Sequence, residues 1–259
     1  MRINAEIEAL FARLDDLCRI ADKGTVAISA FLTPREVHYA RQYLTHSSKS
    51  FFCYGGYTGA ERQRIYLLPD YVEADDVGGL LDYGFDADIC ALRVIPSGYR
   101  ALTHRDYMGS VLGLGIERAV IGDIAVYEDG SAVIFCDGVM CDFLAQSLVK
   151  VANDKVRTEC VSREAVCVPP RRFADIVDTV ASPRLDCIVG ALCSLSREKA
   201  KVAVLTGLVE VDFECEERPD RDVVPPCMIS VKGYGRFEVR SVNDKTKKGR
   251  YRMSAKKYL

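Results

Sequence analysis

Four groups of residues stand at spacings that could do chemistry. His104-Arg105-Asp106 has the order of a kinase catalytic loop, where the Asp takes the substrate hydroxyl proton and an Asn five residues on holds a metal. Position 111 is Val111, and neither an Asp-Phe-Gly nor a lysine strand accompanies it, so a kinase is rejected. Gly113-Leu114-Gly115 could open a dinucleotide loop, but position 118 is Arg118 and the segment follows a helical pattern, so it reads as a helix end. The third group is the set of 11 cysteines, whose closest pairs are Cys136/Cys141, Cys187/Cys193 and Cys160/Cys167. None is a C-x-x-C, and His38, His46 and His104 are scattered. The linear spacing of a structural zinc site is missing, which predicts no metal, no cofactor and reduced thiols used as small core residues. No catalytic residue is expected.

The fourth group is basic. Ser196 can cap a helix whose first turns carry Arg197, Lys199 and Lys201, and Arg184 opens the segment before it. Cations beside a helix N-terminus do not complement its dipole, so their placement makes sense where the free backbone N–H groups receive a phosphate. Arg184 can reach the same phosphate track through its forked donors. Lys232, Arg236, Lys245, Lys247, Lys248, Arg250, Arg252, Lys256 and Lys257 extend the basic character into what reads as a tail. The expected RNA-binding set is Arg184, Ser196, Arg197, Lys199, Lys201, Lys232, Arg236, Lys247, Lys248, Arg250 and Arg252.

The charge distribution supports this. The 259 residues have a formal net charge of -2, with 35 Lys+Arg against 37 Asp+Glu. Residues 182–259 hold 16 basic and 11 acidic residues, a net of +5, leaving -7 on residues 1–181. An acidic body with a basic end is the footprint of a polyanion-binding module. With 49% hydrophobic and 28% charged residues, collagen-like and wholly disordered classes are excluded. The N-terminal segment lacks an apolar signal region and no stretch suits a membrane span, which predicts a cytoplasmic protein without membrane contact.

The elements that must position these residues fall into three expected units of an α+β protein. Residues 1–77 form an N-terminal unit. There Ile3, Ile7, Leu10, Phe11, Leu14, Leu17 and Cys18 share one helical face. Thr33-Pro34-Arg35-Glu36 is a capping box, and two strands, 51–54 and 64–68, flank a glycine turn. Residues 78–170 read as strand (88–95), helix (106–114), strand (121–127), strand (131–136), helix (143–152) and strand (156–161), with Asp129-Gly130 as the hairpin turn. That order is the split βαβ, ferredoxin-like pattern shared by the RNA-recognition motif. Residues 182–259 read as two short helices, one started by Ser182-Pro183 and one by Ser196, followed by a small sheet and the basic tail.

Ser182-Pro183-Arg184-Leu185-Asp186, Leu195-Ser196-Arg197-Glu198-Lys199-Ala200 and Thr206-Gly207-Leu208-Val209-Glu210-Val211 closely resemble the S4 RNA-binding domain, the αL type of fold. Gly233-Tyr234-Gly235-Arg236-Phe237, Lys248-Gly249-Arg250-Tyr251-Arg252, Phe31 to Glu36, Gly55 to Arg62, Leu102 to Asp106, Gly113 to Ile116 and Ile121 to Ile124 resemble the YlmH family in particular. The resemblance implies a non-enzymatic, bacterial factor with a central RNA-binding domain and a C-terminal S4 domain. It implies rRNA and tRNA as partners on the large ribosomal subunit, and a role in rescue of stalled subunits that carry peptidyl-tRNA. It also implies a nascent-chain tailing factor as a partner, and the protein is expected to be a monomer. Two alternatives stay open: an S4-containing RNA-modifying enzyme of the pseudouridine-synthase type, and an RNA-binding factor linked to cell division. The only Arg-Leu-Asp, Arg184-Leu185-Asp186, belongs to the S4 start, so its Asp is not expected to be catalytic.

Overall fold

The computed structural model describes residues 5–84, 88–246 and 249–259. Contacts divide the chain into two compact units that meet in sequence at Pro169 and Pro170. The expected first and second units therefore pack as one body, and residues 170–259 form the other.

The first body opens with α1 (Ala5–Ala21), whose Ile7, Leu10, Leu14 and Cys18 are buried at the three-to-four spacing of one helical face; Ile3 lies outside the described residues. β1 (Ala27–Ile28) leads to α2 (Pro34–His46). The capping box forms: Thr33 Oγ1 accepts from Glu36 N at 3.3 Å, and Glu36 Oε2 accepts from Thr33 N at 2.8 Å. β2 (Phe51–Tyr54) and β3 (Arg64–Leu67) complete a three-stranded antiparallel sheet in the order β1-β3-β2. The acidic stretch before Gly78 is not a bare linker. Asp76 accepts from Gly79 N at 2.8 Å and starts α3 (Val77–Asp82), whose Leu80 is fully buried.

Next come β4 (Ile89–Pro96), α4 (His104–Leu112), β5 (Ile121–Val126), β6 (Ala132–Asp137), α5 (Gly138–Ser147), β7 (Lys150–Val151) and β8 (Asp154–Val161). The sheet runs β5-β6-β4-β8-β7 and every pairing is antiparallel. Its first four members are in the split βαβ order. The helix expected over 143–152 forms five residues earlier. Asp137, at the end of β6, accepts from Val139 N at 3.1 Å and begins α5 at once, while Lys150 and Val151 turn back as a hairpin strand. α4 likewise starts before Asp106, because Thr103 and Asp106 form a second capping box.

The second body contains β9 (Phe173–Val180), α6 (Leu185–Cys193), α7 (Arg197–Leu205), β10 (Val209–Val211), β11 (Glu214–Cys215), β12 (Cys227–Val231), β13 (Gly235–Lys245) and β14 (Tyr251–Tyr258). Its six strands run β11-β10-β12-β13-β14-β9. α6 and α7 bury Leu185, Ile188, Val189, Leu192, Ala200 and Val204 against Ile229, Phe237, Val239 and Met253 of one sheet face. Two expectations are corrected. The basic tail is a strand: Met253 and Ala255 alternate into the core, and β14 pairs with both β13 and β9. Ser182 does not cap α6 either. Arg184 is the cap residue, and the first amides of the helix are taken by loop carbonyls, Leu185 N to Arg221 O at 2.8 Å and Asp186 N to Pro219 O at 3.0 Å.

Candidate nucleic-acid interface

The second body brings Arg184 and Arg197 to one carboxylate. Asp186, in the first turn of α6, has a side chain only 2% exposed. Its Oδ1 is 3.2 Å from Arg184 Nε, and its Oδ2 is 3.4 Å from Arg197 Nε. Burial alone would raise the Asp186 carboxyl, but Arg184, followed by Arg197, holds it below the usual range. The arginines stay accessible, with Arg184 37% and Arg197 64% exposed. Two guanidinium groups fixed on one buried anion leave a net of +1 and a set of outward donors. That arrangement suits a phosphate.

α7 orders the rest. Ser196 Oγ accepts from Lys199 N at 3.4 Å, a long cap bond. At about 3.6 residues per turn, Arg197 and Lys201 share one flank of α7 and Lys199 falls on the other, with Ala200, Ala203 and Val204 buried between. Only Lys201 therefore continues the track from Arg184 and Arg197.

The loop that caps α6 carries a second arginine pair, absent from the expected RNA-binding set. Glu216 Oε1 accepts from Arg218 Nε at 3.0 Å, and Oε2 from Arg221 Nη1 at 2.7 Å. The Arg218 hydrogen bond, outweighing burial and joined by Arg221, pushes the Glu216 carboxyl down to about 2. No local sequence signal marks this pair, because the contacts depend on the fold of residues 216–221.

The remaining expected contacts lie elsewhere. Cross-strand register puts Arg236, Arg252, Lys256 and Tyr258 on the sheet face opposite the one that buries Phe237 and Met253. Arg236 Cζ lies 5.8 Å from the Tyr258 ring centre and 6.0 Å from that of Phe213, and Lys256 Nζ is 5.1 Å from that of Phe173. Interleaved cations and rings of this kind can stack on bases as well as meet phosphates. Arg250 is tied to Thr179, and Lys232 is exposed just past β12. Lys247, Lys248 and the side chain of Lys245 lie outside what the structure describes.

In the first body, most of the quoted sequence blocks meet at a structural junction. Arg62 is buried and donates from Nε to Ile121 O at 2.9 Å and from Nη2 to Phe31 O at 2.8 Å. Asp123 accepts from Tyr57 Oη at 2.8 Å and from the amides of Glu61 and Arg62 at 2.7 and 3.0 Å. Phe31, Ile89, Ala91, Val133 and Phe135 form one cluster, joined by Tyr57 and Val161. The five-stranded sheet thus has helices on one face and the N-terminal layer on the other, so that second face is not an open stacking platform. The His104-Arg105-Asp106 segment is also structural: Asp106 is held low chiefly by its bond from Thr103, and burial, then Arg118, lowers His104.

Residues 83–165 match a family model described as "Putative RNA-binding domain in YlmH". Ribosome-associated protein quality control protein P2 of Bacillus subtilis (strain 168) is 27% identical over 236 residues, covering 91% of this chain and 88% of that protein. A solved structure, cell division protein ylmH from Streptococcus pneumoniae, aligns with a TM-score of 0.51 and 20% identity over 64% of this chain and 98% of that one. The chain resembles the YlmH family over most of its length, and residues 83–165 match that family's domain. The segment carrying the YlmH RNA-binding description holds β4 to β8, the sheet described above. Among the described residues, no helix is long and apolar enough to cross a membrane.

Proposed function

We propose that this protein is a non-enzymatic, cytoplasmic RNA-binding factor of the YlmH family. It grips rRNA and tRNA backbones on the large ribosomal subunit during rescue of stalled subunits that carry peptidyl-tRNA. Residues 182–259 act as its S4 module, and residues 78–170 as the central RNA-binding segment. The observation that carries this reading is the pair of accessible arginines, Arg184 and Arg197, fixed on buried Asp186. The Bacillus subtilis relative, named as a ribosome-associated quality control protein, supplies the biological setting. A factor of this kind works by position: it holds a tRNA-bound state for a nascent-chain tailing factor, as a monomer. Asp186 is enclosed by two arginines, which favours a tether over a uridine-attacking nucleophile and weighs against the pseudouridine-synthase reading. A cell-division role, the name carried by the Streptococcus pneumoniae relative, would follow indirectly from ribosome function.

Co-sedimentation with large ribosomal subunits across a salt series tests this. Phosphate-driven binding weakens steeply with salt, and each lost phosphate contact lowers the log–log slope by about 0.7 to 0.9. Arg184→Ala with Arg197→Ala should lower the slope by about 1.4 to 1.8 on that scale. Salt-independent association, or a slope that neither substitution changes, would refute the reading.

A further inference from the structure

Four cysteines drawn from three strands and a helix converge at one corner of the five-stranded sheet. Cys90 on β4 and Cys136 on β6 are cross-strand partners. Cys160 on β8 lies opposite Leu92, the residue two along from Cys90 on the same face of β4. Cys141 comes from α5 above them. The sulfurs of Cys90, Cys136 and Cys141 lie within 4.8 Å of one another, and Cys160 Sγ is 3.1 Å from Cys141 Sγ. The sequence expectation of reduced, isolated thiols differs from this: the structure joins Cys90 and Cys141 by a disulfide.

We propose that in the reduced protein this corner is a four-thiolate site for one thiophilic divalent ion of the zinc class, held by Cys90, Cys136, Cys141 and Cys160. Zinc–sulfur bonds of about 2.3 Å in a tetrahedron set sulfurs about 3.8 Å apart, inside the 4.8 Å that bounds the sulfurs of Cys90, Cys136 and Cys141, while Cys160 joins the set through Cys141, 3.1 Å away. The disulfide accounts for two sulfurs, whereas one metal ion accounts for all four. Filling an apolar corner does not need sulfur, since Ala91, Val94, Ala132 and Val133 fill the same sheet elsewhere. Leu144 and Ile121 stand in the core on the buried side of the site, and Cys160 forms its exposed side. Linear motif reading misses the site because its ligands come from three strands and a helix, and only Cys136 and Cys141 are near in sequence.

The two states are exclusive. A dithiol reductant gives two electrons and two protons to the Cys90–Cys141 bond, yields two thiols and is itself oxidised to a disulfide. Metal uptake then displaces the four thiol protons. A two-electron oxidant reverses the first step and releases the ion.

The full-length protein, reduced anaerobically, is titrated with Zn²⁺ and separately with Co²⁺. Metal content is read by plasma mass spectrometry, thiolate–cobalt charge transfer by visible absorption, and thiol protection by alkylation and peptide mass spectrometry. One equivalent should bind, with these four cysteines protected and exposed Cys167 alkylated freely. Cys136→Ser should abolish tetrahedral cobalt absorption. Cys160→Ser, at an exposed position where folding is least at risk, should weaken binding by at least about tenfold, or 1.4 kcal/mol. Cys167→Ser should bind as the parent does. A reduced parent that takes up no metal, or uptake that Cys160→Ser leaves unchanged, overturns the proposal and leaves the disulfide as the corner's role.

Discussion

Asp186 organises the basic surface of the second body. Asp186→Asn keeps its size but removes the charge that holds two guanidinium groups. Leaving charge-assisted bonds unmade at a buried site costs about 1–3 kcal/mol, which urea unfolding should register. Binding to large subunits should weaken even though the variant is more positive by one charge; tighter binding would show that charge alone, and not placement, governs affinity. Glu216 gives a pH prediction. Its carboxyl is depressed from 4.5 to about 2, so its contribution is fully present above about 4.5 and is lost as pH falls toward 2. Glu216→Gln should flatten the acid limb of the stability curve across that window. Arg184 and Arg197 were legible from sequence because each sits at a local helix start. Their tether, and the Glu216–Arg218–Arg221 cluster, were not, because those contacts exist only once α6 meets the loop that caps it.

At the level of elements, local chemistry was readable wherever a cap or turn residue fixed it. Thr33 with Glu36, the Asp129-Gly130 turn and Ser196 all behave as their sequence patterns indicate. Ser196→Ala should cost about 1 kcal/mol, measurable as a shift in the denaturant midpoint. β14 was hidden by its composition. Tyr251, Met253 and Ala255 do alternate with Arg252, Ser254 and Lys256, but the density of cations reads as a solvated tail. The distinction can be tested. Removing residues 251–259 should unfold the second body, seen as lost amide dispersion, because β9 loses its only strand partner among the described residues. Replacing Arg252 and Lys256 by Gln should leave the fold intact and only weaken RNA binding.

For the whole molecule, the net charge of -2 is the sum of an acidic body and a basic module, so near-neutrality does not speak against a polyanion partner. Each body has its own apolar core, and damage should remain local. Gly56 has φ +103°, and a Cβ there would lie 2.4 Å from Phe135. Gly56→Ala should therefore destabilise the junction of the first body by about 1–3 kcal/mol, through overpacking. Hydrogen exchange should speed up in peptides from residues 5–169 and stay unchanged in those from 170–259. Uniform acceleration would mean that the two bodies unfold as one.

The place of β14 between β13 and β9 also sets an order of events during synthesis. β9 pairs Val180 with Tyr251 and Phe173 with Tyr258, separations of 71 and 85 residues. Until the later strand has left the ribosome, β9 is an unpaired edge, and closing so long a loop makes this the slow step in building the sheet. A protein proposed to attend stalled ribosomes would thus be vulnerable to stalling on its own message, with the basic module proposed to grip RNA unfinished until β14 emerges.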